Sequence, residues 1–400
     1  MRGRIPQDDG GRRLRVLFIP EWYPPREGQQ TVSGAFVREH VLAASLHDDV
    51  SVLLFRTGER GKRAVRLEEY ADSGVEIIDF TAFSPEARPP RTLKRRLMWL
   101  WLLARAIGRW GRPDLIHCQD KSVFHAAPAA RLLGVPYVMS SHWTGFMRRD
   151  VTPEEVQGFR RLVPGAALVL CSNAYAREDF EHYGIQGRFE WLPNSFDPDV
   201  FHPVSGLPKT ENLVHVSGFT DQKRAPDILR AFAIVLRSRP SARLLMVGNG
   251  IGRAATEDLA SRLLPPGSFE FPGFVPKTEI ADILRRCRGF VFPSSAETFG
   301  CALMEAMACG CPVLTTRVGG IPHVAREGEG IFVEAGDIGA IAEGMIALLD
   351  GTHGLDTDAV ARSVLERFGR PAVGRIIHCY HLAAVSGSNP ENHRKLTASN

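Results

Sequence analysis

The sequence predicts an α/β protein built from two Rossmann-like doubly wound domains, and three observations predict it. The chain has 400 residues, 44% hydrophobic and 24% charged, which suits two domains of ordinary size, each able to bury its own core. Short apolar runs of strand length recur along it, end in polar or glycine-bearing loops, and alternate with stretches at helical spacing. One block combines these signals. Gly289-Phe-Val-Phe-Pro293 reads as a short buried strand that Pro293 ends, and Leu303, Met304, Ala306 and Met307 keep helical spacing until Gly310 and Pro312. Glu297 therefore falls in the loop at the carboxyl end of a strand, where open α/β sheets bind ligands.

Glu305 follows inside the helix. Eight residues of helix would separate the two carboxylates by roughly 12 Å, whereas hydrolytic acid/base pairs sit about 5 to 9.5 Å apart. The pair suits gripping separate hydroxyl-bearing parts of one long ligand, such as a nucleotide-sugar. The ordered block Glu297-Thr-Phe299-Gly300-Cys301-Ala-Leu-Met-Glu305 resembles the E-x7-E signature of the retaining glycosyltransferases of family 4. Their GT-B fold has two Rossmann-like domains facing across a cleft. The resemblance implies that Glu297 and the backbone at Phe299, Gly300 and Cys301 hold the donor sugar, and that Glu305 holds the nucleotide ribose.

From the amino end, residues 1 to 13 are polar and expected to fray. Arg15-Val-Leu-Phe-Ile-Pro20 is a buried parallel strand of the kind that begins a Rossmann unit. A loop through Trp22-Tyr-Pro and Ser33-Gly34 leads into the helix begun by Ala35-Phe-Val-Arg-Glu-His40. Gly34 stands where backbone can approach a ligand and helix N–H groups are open to phosphate. A similar pattern in the family implies that it faces the donor diphosphate. Val50 to Phe55 and Val75 to Phe80 are further strands, and the proline-rich run from Ser84 to Arg91 is a loop. Between Arg88 and Arg112 lie eight Lys/Arg and no acid, around Leu97-Met-Trp-Leu-Trp-Leu-Leu103. That composition suits an anionic membrane surface. A core helix with solvated arginines accounts for it equally.

Asp114 to Cys118 and Pro136 to Ser140 are strands. The second runs into Ser141-His142-Trp-Thr-Gly145, which is similar to a His-Trp-Ser-Gly pattern of the family. The resemblance implies that His142 lies in the inter-domain cleft near donor sugar and acceptor, orienting them or handling a proton. Ala167 to Ser172 is another strand, with Ser172 or Asn173 capping the next helix. Trp191 to Pro203 resembles the stretch that ends the family's first domain, and its Asp197-Pro-Asp199 reads as turn chemistry rather than a metal site.

The second Rossmann unit opens with Leu213 to Ser217, followed by Gly218-Phe-Thr-Asp-Gln-Lys223-Arg224. Family members carry an Arg shortly after this glycine and a Lys a turn later, which together neutralise the departing diphosphate. Lys223 matches, but Phe219 and Thr220 stand where the Arg is expected, so either Arg224 substitutes or one charge is absent. In Gly248-Asn-Gly-Ile-Gly252-Arg253, Arg253 occupies the third position of a dinucleotide fingerprint, which disfavours a nicotinamide oxidoreductase. The resemblance instead places Gly218 and Gly248 on the nucleotide side and brings the backbone of Val275 to the base. Pro312 to Thr316 and Gly330 to Val333 are strands around the Gly319-Gly320 turn. Helices follow from Ile341 to Leu349 and from 359 to 385.

A net charge of +4 is too mild to argue for nucleic acid. Seven cysteines are scattered, only Cys309 and Cys311 cluster, and no second cluster completes a zinc set. The expectation is reduced thiols and a cytoplasmic protein with no signal peptide and no membrane span, peripheral at the inner face of the membrane if residues 88–112 bind it. The expected organisation is an acceptor-binding domain over 1–205, a nucleotide-sugar domain over 206–370, a helix over 371–385 crossing back, and a disordered tail over 386–400. The expected activity is metal-independent transfer of a sugar from a UDP- or GDP-sugar to a hydroxyl acceptor, a lipid-linked saccharide or a small polar metabolite, with no cofactor. An epimerase or phosphorylase of the same fold, or a non-catalytic sugar-binding subunit, would share most of these signals.

Overall fold

The structure is a computed structural model that describes residues 13–24, 34–57, 66–82, 92–142, 145–172, 175–391 and 393. The fraying expected before Arg13, the loop over 84–91, Trp143, Thr144, Asn173 and the last residues of the tail lie outside these. The chain divides into two compact units. The first holds most of the chain up to Leu192 together with Val373 onward, and the second runs from Pro193 to Ala372.

In the first unit the elements are β1 (Arg15–Ile19), α1 (Ala35–Ser45), β2 (Asp49–Thr57), β3 (Arg66–Asp72), β4 (Val75–Ala82), α2 (Thr92–Trp110) and β5 (Leu115–Gln119). They continue with α3 (Val123–Leu133), β6 (Tyr137–Ser141), α4 (Gly145–Arg148), α5 (Pro153–Leu162), β7 (Leu168–Cys171), α6 (Ala176–His182) and β8 (Phe189–Trp191). The sheet order is β3-β4-β2-β1-β5-β6-β7-β8. All neighbours are parallel except β3 and β4. β5, β6 and β7 are buried along their whole length, because a parallel sheet is covered by helices on both faces. The β3–β4 hairpin is absent from the sequence reading. Its two-residue turn is Ser73-Gly74, both at positive φ (49° and 87°), the conformation that matches strand twist.

The second unit contains β9 (Asn212–Val216), α7 (Ala225–Val235), β10 (Arg243–Val247), α8 (Arg253–Leu263), β11 (Phe269–Gly273), α9 (Lys277–Arg286) and β12 (Gly289–Phe292). Then come α10 (Cys301–Ala308), β13 (Val313–Thr315), α11 (Ile321–Val324), β14 (Ile331–Phe332), α12 (Ile338–Asp350) and α13 (Thr357–Phe368), and α14 (Arg370–Ser386) follows, its residues from Val373 belonging to the first unit. Its all-parallel sheet has the order β11-β10-β9-β12-β13-β14.

Three details differ from expectation. The boundary lies at Leu192/Pro193 rather than at 205/206. Phe196 and Phe201 are fully buried in one cluster with Phe290, Phe292 and Phe299. Phe196 also bridges to Gly369, and Arg370 pairs with Asp197 at 2.7 Å. The helical stretch over 359–385 is two helices, α13 and α14, broken at Gly369. From Val373 onward α14 groups with the first unit, and Val373, Ile377, Tyr380 and Ala383 pack with Val16, Phe18 and Val41. Finally, the tail is ordered at its start. Gly387 takes a left-handed φ of 68° and the Ser388 N–H donates to the Ala383 carbonyl, a helix-ending turn that glycine permits.

The basic segment forms α2, with Trp99, Leu102, Leu103 and Ala106 in the core beside Leu53 and Ile78. Arg105 and Arg109 pair with Glu69 (2.6 and 3.1 Å), and Arg109 also with Glu76 (2.8 Å). Those charges are locally neutralised, yet Leu97, Leu100 and Trp101 stay 57%, 45% and 51% exposed. No helix among the described residues is long and apolar enough to cross a membrane.

Gly374 sets how closely α14 lies on α1, since a Cβ there would stand 2.4 Å from the Ala43 carbonyl oxygen. In an open helix Gly→Ala stabilises by roughly 1 kcal/mol. Here Gly374→Ala is expected to destabilise by about 1–3 kcal/mol, the usual cost of overpacking. Urea unfolding followed by circular dichroism reads the sign directly.

Candidate active site

The order of the second sheet reverses between β9 and β12, which pair through Leu213 with Gly289 and Val214 with Phe290. Loops leaving the carboxyl ends of two strands at such a point diverge to opposite faces of the sheet and leave a crevice between them. Lys223 lies at the end of one loop and Glu297 in the other. They form an ion pair between Nζ and Oε1, and Ser294 Oγ donates to the same oxygen at 2.9 Å. The Lys223 ammonium also stands 4.7 Å from the centre of the Phe292 ring. Glu297 is nearly buried, while Lys223 keeps 22% of its side chain exposed. Among the described residues Oε2 of Glu297 takes no bond.

Each wall of this crevice is built by local chemistry. His215 is fully buried on β9, where Nδ1 meets the Val291 carbonyl at 2.8 Å. A carbonyl only accepts, so Nδ1 carries the proton and Nε2 accepts from the Ser217 hydroxyl at 2.8 Å. Ser217 Oγ in turn accepts the Phe219 N–H at 3.1 Å. Burial pushes the His215 pKa down to about 4, which keeps it neutral in this role. The bond holds Phe219 at a φ of 50°, uncommon for a side chain of this size. The phenyl ring is buried 6.0 Å from that of Phe271. Of the two residues that stand where an arginine is expected, Phe219 is therefore core and Thr220 is exposed. Arg224 does not stand free in its place. Its Nε donates to Asp227 at 2.6 Å, and Asp227 also takes Arg230 at 3.1 Å.

Glycines let the loops interlock. A Cβ on Gly250 would lie 1.7 Å from the Gly218 carbonyl oxygen, one on Gly248 2.0 Å from that of Ser217, and one on Gly319 2.0 Å from that of Glu297. No side chain fits such gaps. Gly248 thus serves the packing of the loop that bears Gly218, and Gly319 and Gly320 brace the backbone of Glu297 and Thr298. Arg253 closes the β10 loop by donating to Phe271 O (3.0 Å) and Asn249 Oδ1 (2.6 Å).

The signature loop is anchored by Phe299, buried edge-on against Phe368 at 5.6 Å. Gly300, at a φ of 96°, starts α10 with no side-chain cap. The first N–H groups of α10 are left without helical partners. Cys301 stands at this end, where Asn194 Nδ2 reaches its Sγ at 3.2 Å. Burial, then the nearby Glu305, pushes the thiol up to about 11, so it stays protonated. Glu305, one turn on, pairs with Lys277 at 3.0 Å. Val275 is buried in the same core. Sequence reasoning missed Ser294 and Lys277. The first left the signal of a polar residue directly after the strand-ending Pro293. The second, an isolated lysine at the start of α9, left none.

Gly34 and His142 belong to the first unit. Gly34 has a φ of 80°, and a Cβ there would press on the Tyr23 backbone at 2.9 Å, so its freedom is used by the chain itself. The His142 N–H donates to Asp120 Oδ1 at 3.0 Å, and the ring lies against Phe36 (4.7 Å) and His40 (5.1 Å). Both oxygens of Asp197 are engaged, Oδ1 by the Asp199 N–H in a local turn and Oδ2 by Arg370, 173 residues away. No group of three or more His, Cys, Asp or Glu among the described residues could hold a metal ion.

The chain is similar to several known proteins. It is 35% identical over 167 residues to N-acetyl-α-D-glucosaminyl L-malate synthase of Bacillus anthracis, an alignment covering 41% of this chain and only 43% of that relative. It is 28% identical over 404 residues to a D-inositol 3-phosphate glycosyltransferase of Arthrobacter, covering 92% and 95%. Its fold matches that of Anabaena HepE, solved with UDP and glucose, with a TM-score of 0.68 and 18% identity over 91% of this chain and 98% of that one. The profile of Glycosyltransferase Family 4 matches residues 32–200, and that of Glycosyl transferases group 1 matches residues 198–361. Taken end to end over these two matches, the chain belongs to the glycosyltransferases of family 4, with the GT-B fold of two Rossmann-like units.

Proposed function

We propose that the protein moves a sugar, with retention at the anomeric carbon and without a metal, from a UDP- or GDP-sugar to a hydroxyl acceptor. The observation that carries this reading is the Lys223–Glu297 pair at the strand-order reversal, four residues ahead of the uncapped start of α10. Lys223 and the open N–H groups of α10 supply positive potential for a diphosphate. Glu297 offers Oε2 to sugar hydroxyls, and Glu305, steadied by Lys277, receives the ribose. In the transfer the bond from C1 to the β-phosphate oxygen breaks and its electron pair leaves on that oxygen. The acceptor oxygen bonds C1 from the same face and its proton passes to the departing phosphate, the base nearest that face. A carboxylate that already holds Lys223 and Ser294 is a poor nucleophile, which argues against a covalent intermediate on Glu297.

The names of the two curated relatives refer to L-malate and D-inositol 3-phosphate, and these favour a small polar acceptor over a lipid-linked saccharide. A peripheral contact with anionic membranes through α2 is compatible with either, because Leu97, Leu100 and Trp101 are exposed beside Arg96. The burial of Phe219 in core favours one alternative, a subunit that binds sugar-nucleotide without consuming it.

Preorganised charge of this kind is worth about 3 to 4 kcal/mol, so Lys223→Ala is expected to lower turnover by about 10² to 10³, measured as release of free UDP or GDP from a donor panel. A variant within a few-fold of wild type would remove Lys223 from the reaction, and a wild type that binds donor without consuming it would establish the non-catalytic reading. By calorimetry with free UDP and GDP, Glu305→Ala is expected to weaken binding and Glu297→Ala to leave it nearly unchanged; equal losses would contradict the division of roles. On vesicles of phosphatidylserine and phosphatidylcholine, the double variant Leu100→Ser/Trp101→Ser is expected to float less than wild type. Equal flotation would end the membrane reading.

A further inference from the structure

The first unit contains a buried line of polar groups that the proposed reaction does not use. Asp48 lies between α1 and β2 with its side chain fully buried, and α14 sends two histidines to it. His378 Nδ1 is 2.7 Å from Oδ1, and His381 Nδ1 is 2.6 Å from Oδ2. His381 Nε2 is 2.9 Å from His117 Nδ1, and His117 Nε2 is 2.6 Å from Ser140 Oγ. All but His378 are buried, and Phe18 stacks on the His117 ring at 4.3 Å.

The direction of every bond follows from what each group can do. Burial raises the Asp48 carboxyl, but the bonds from His378 and His381 outweigh it and hold it below the usual carboxylate range. It is ionised at neutral pH and only accepts. His381 therefore carries a proton on Nδ1, and with its ring neutral its Nε2 accepts from His117 Nδ1–H. That leaves His117 Nε2 to accept from the Ser140 hydroxyl. Burial, then the neighbouring His381, His40 and His142, hold His117 well below the usual imidazole range, which keeps its ring neutral. With both rings neutral, one proton arrangement satisfies the whole line.

Where the line ends gives it a use. Ser140 is the fourth residue of β6, Ser141 is the last and pairs with Cys171 of β7, and His142 follows it out of the sheet. The chain around β5 holds this end twice, through the His117–Ser140 bond and through Asp120, the residue that follows β5, which takes the His142 N–H. We propose that His117 is a positioning residue: anchored by His381 of α14 and by Asp48, it fixes the Ser140 hydroxyl and with it the point from which the His142 loop leaves the sheet. The C-terminal helix thereby sets where His142 stands. The consequence for turnover rests on the reading of His142 as a site residue, whereas the hydrogen-bonded line does not.

The test uses the full chain labelled with ¹⁵N-histidine at pH 7, with ring signals read by NMR, and the variants Ser140→Ala and Ser140→Thr. In wild type, His117 and His381 are expected as Nδ1–H tautomers. Ser140→Ala, nearly isosteric, is expected to fold, to shift the ring signals of His117 and His142, and to lower turnover about tenfold with the donor KM unchanged. Ser140→Thr, which keeps a hydroxyl, is expected to restore both. A His117 proton on Nε2 in wild type, or His142 signals unmoved in Ser140→Ala, overturns the proposal. Shifted signals in a protein that consumes no donor would support the line and refute the enzymatic reading instead.

Discussion

The adjacency of β9 and β12 is the constraint on which the second unit's chemistry depends. These strands are separated by two other strands in the chain, yet they share backbone hydrogen bonds where the winding of the sheet reverses. Their loops therefore part to opposite faces and leave a gap lined from both sides. Lys223 and Glu297, 74 residues apart, meet in that gap. A buried carboxylate is costly unless it is paired and hydrogen-bonded, and Lys223 and Ser294 meet that need for Glu297. The same arrangement leaves an ammonium partly open to solvent and one carboxylate oxygen without a hydrogen bond among the described residues.

The neighbouring loops can stand so close because they carry almost no side chains where they touch. Gly248, Gly250, Gly319 and Gly320 all face carbonyl oxygens at distances that exclude a Cβ. What resembles a ligand-binding glycine pattern in the sequence is, in the folded unit, first a way of passing one backbone across another. Phe219 shows the converse. Phe219, one of the two residues where the resemblance implies an arginine, is instead a ring in the core, held by the neutral His215 through Ser217. The positive charge at this site rests on Lys223 and on the backbone amides of α10, with Arg224 tied to Asp227.

In the first unit a helix from the far end of the chain completes the core. Val373, Ile377 and Tyr380 supply apolar burial, while His378 and His381 supply polar partners for a carboxylate that would otherwise be buried alone. Buried polar groups of this kind are demanding, since each unmet donor or acceptor costs about 1–3 kcal/mol. A line in which every member has a partner fixes the helix in register more strictly than apolar contact can.

The sequence by itself determined the α/β class, nearly every parallel strand, and the location of Glu297 and Glu305 after β12, because hydrophobic periodicity and glycine and proline punctuation are local properties. It also exposed the departure at Phe219. It did not determine the domain boundary, because Phe196 and Phe201 choose their side by packing against β12 and not by any turn signal. The edge hairpin at Ser73-Gly74 was hidden by a polar strand, Arg66 to Asp72, that lacks an apolar pattern. Ser294, Lys277 and the line from Asp48 to Ser140 were decided by tertiary structure alone. Their partners lie from 3 to 333 residues away, and only the folded sheet brings them within the reach of a hydrogen bond.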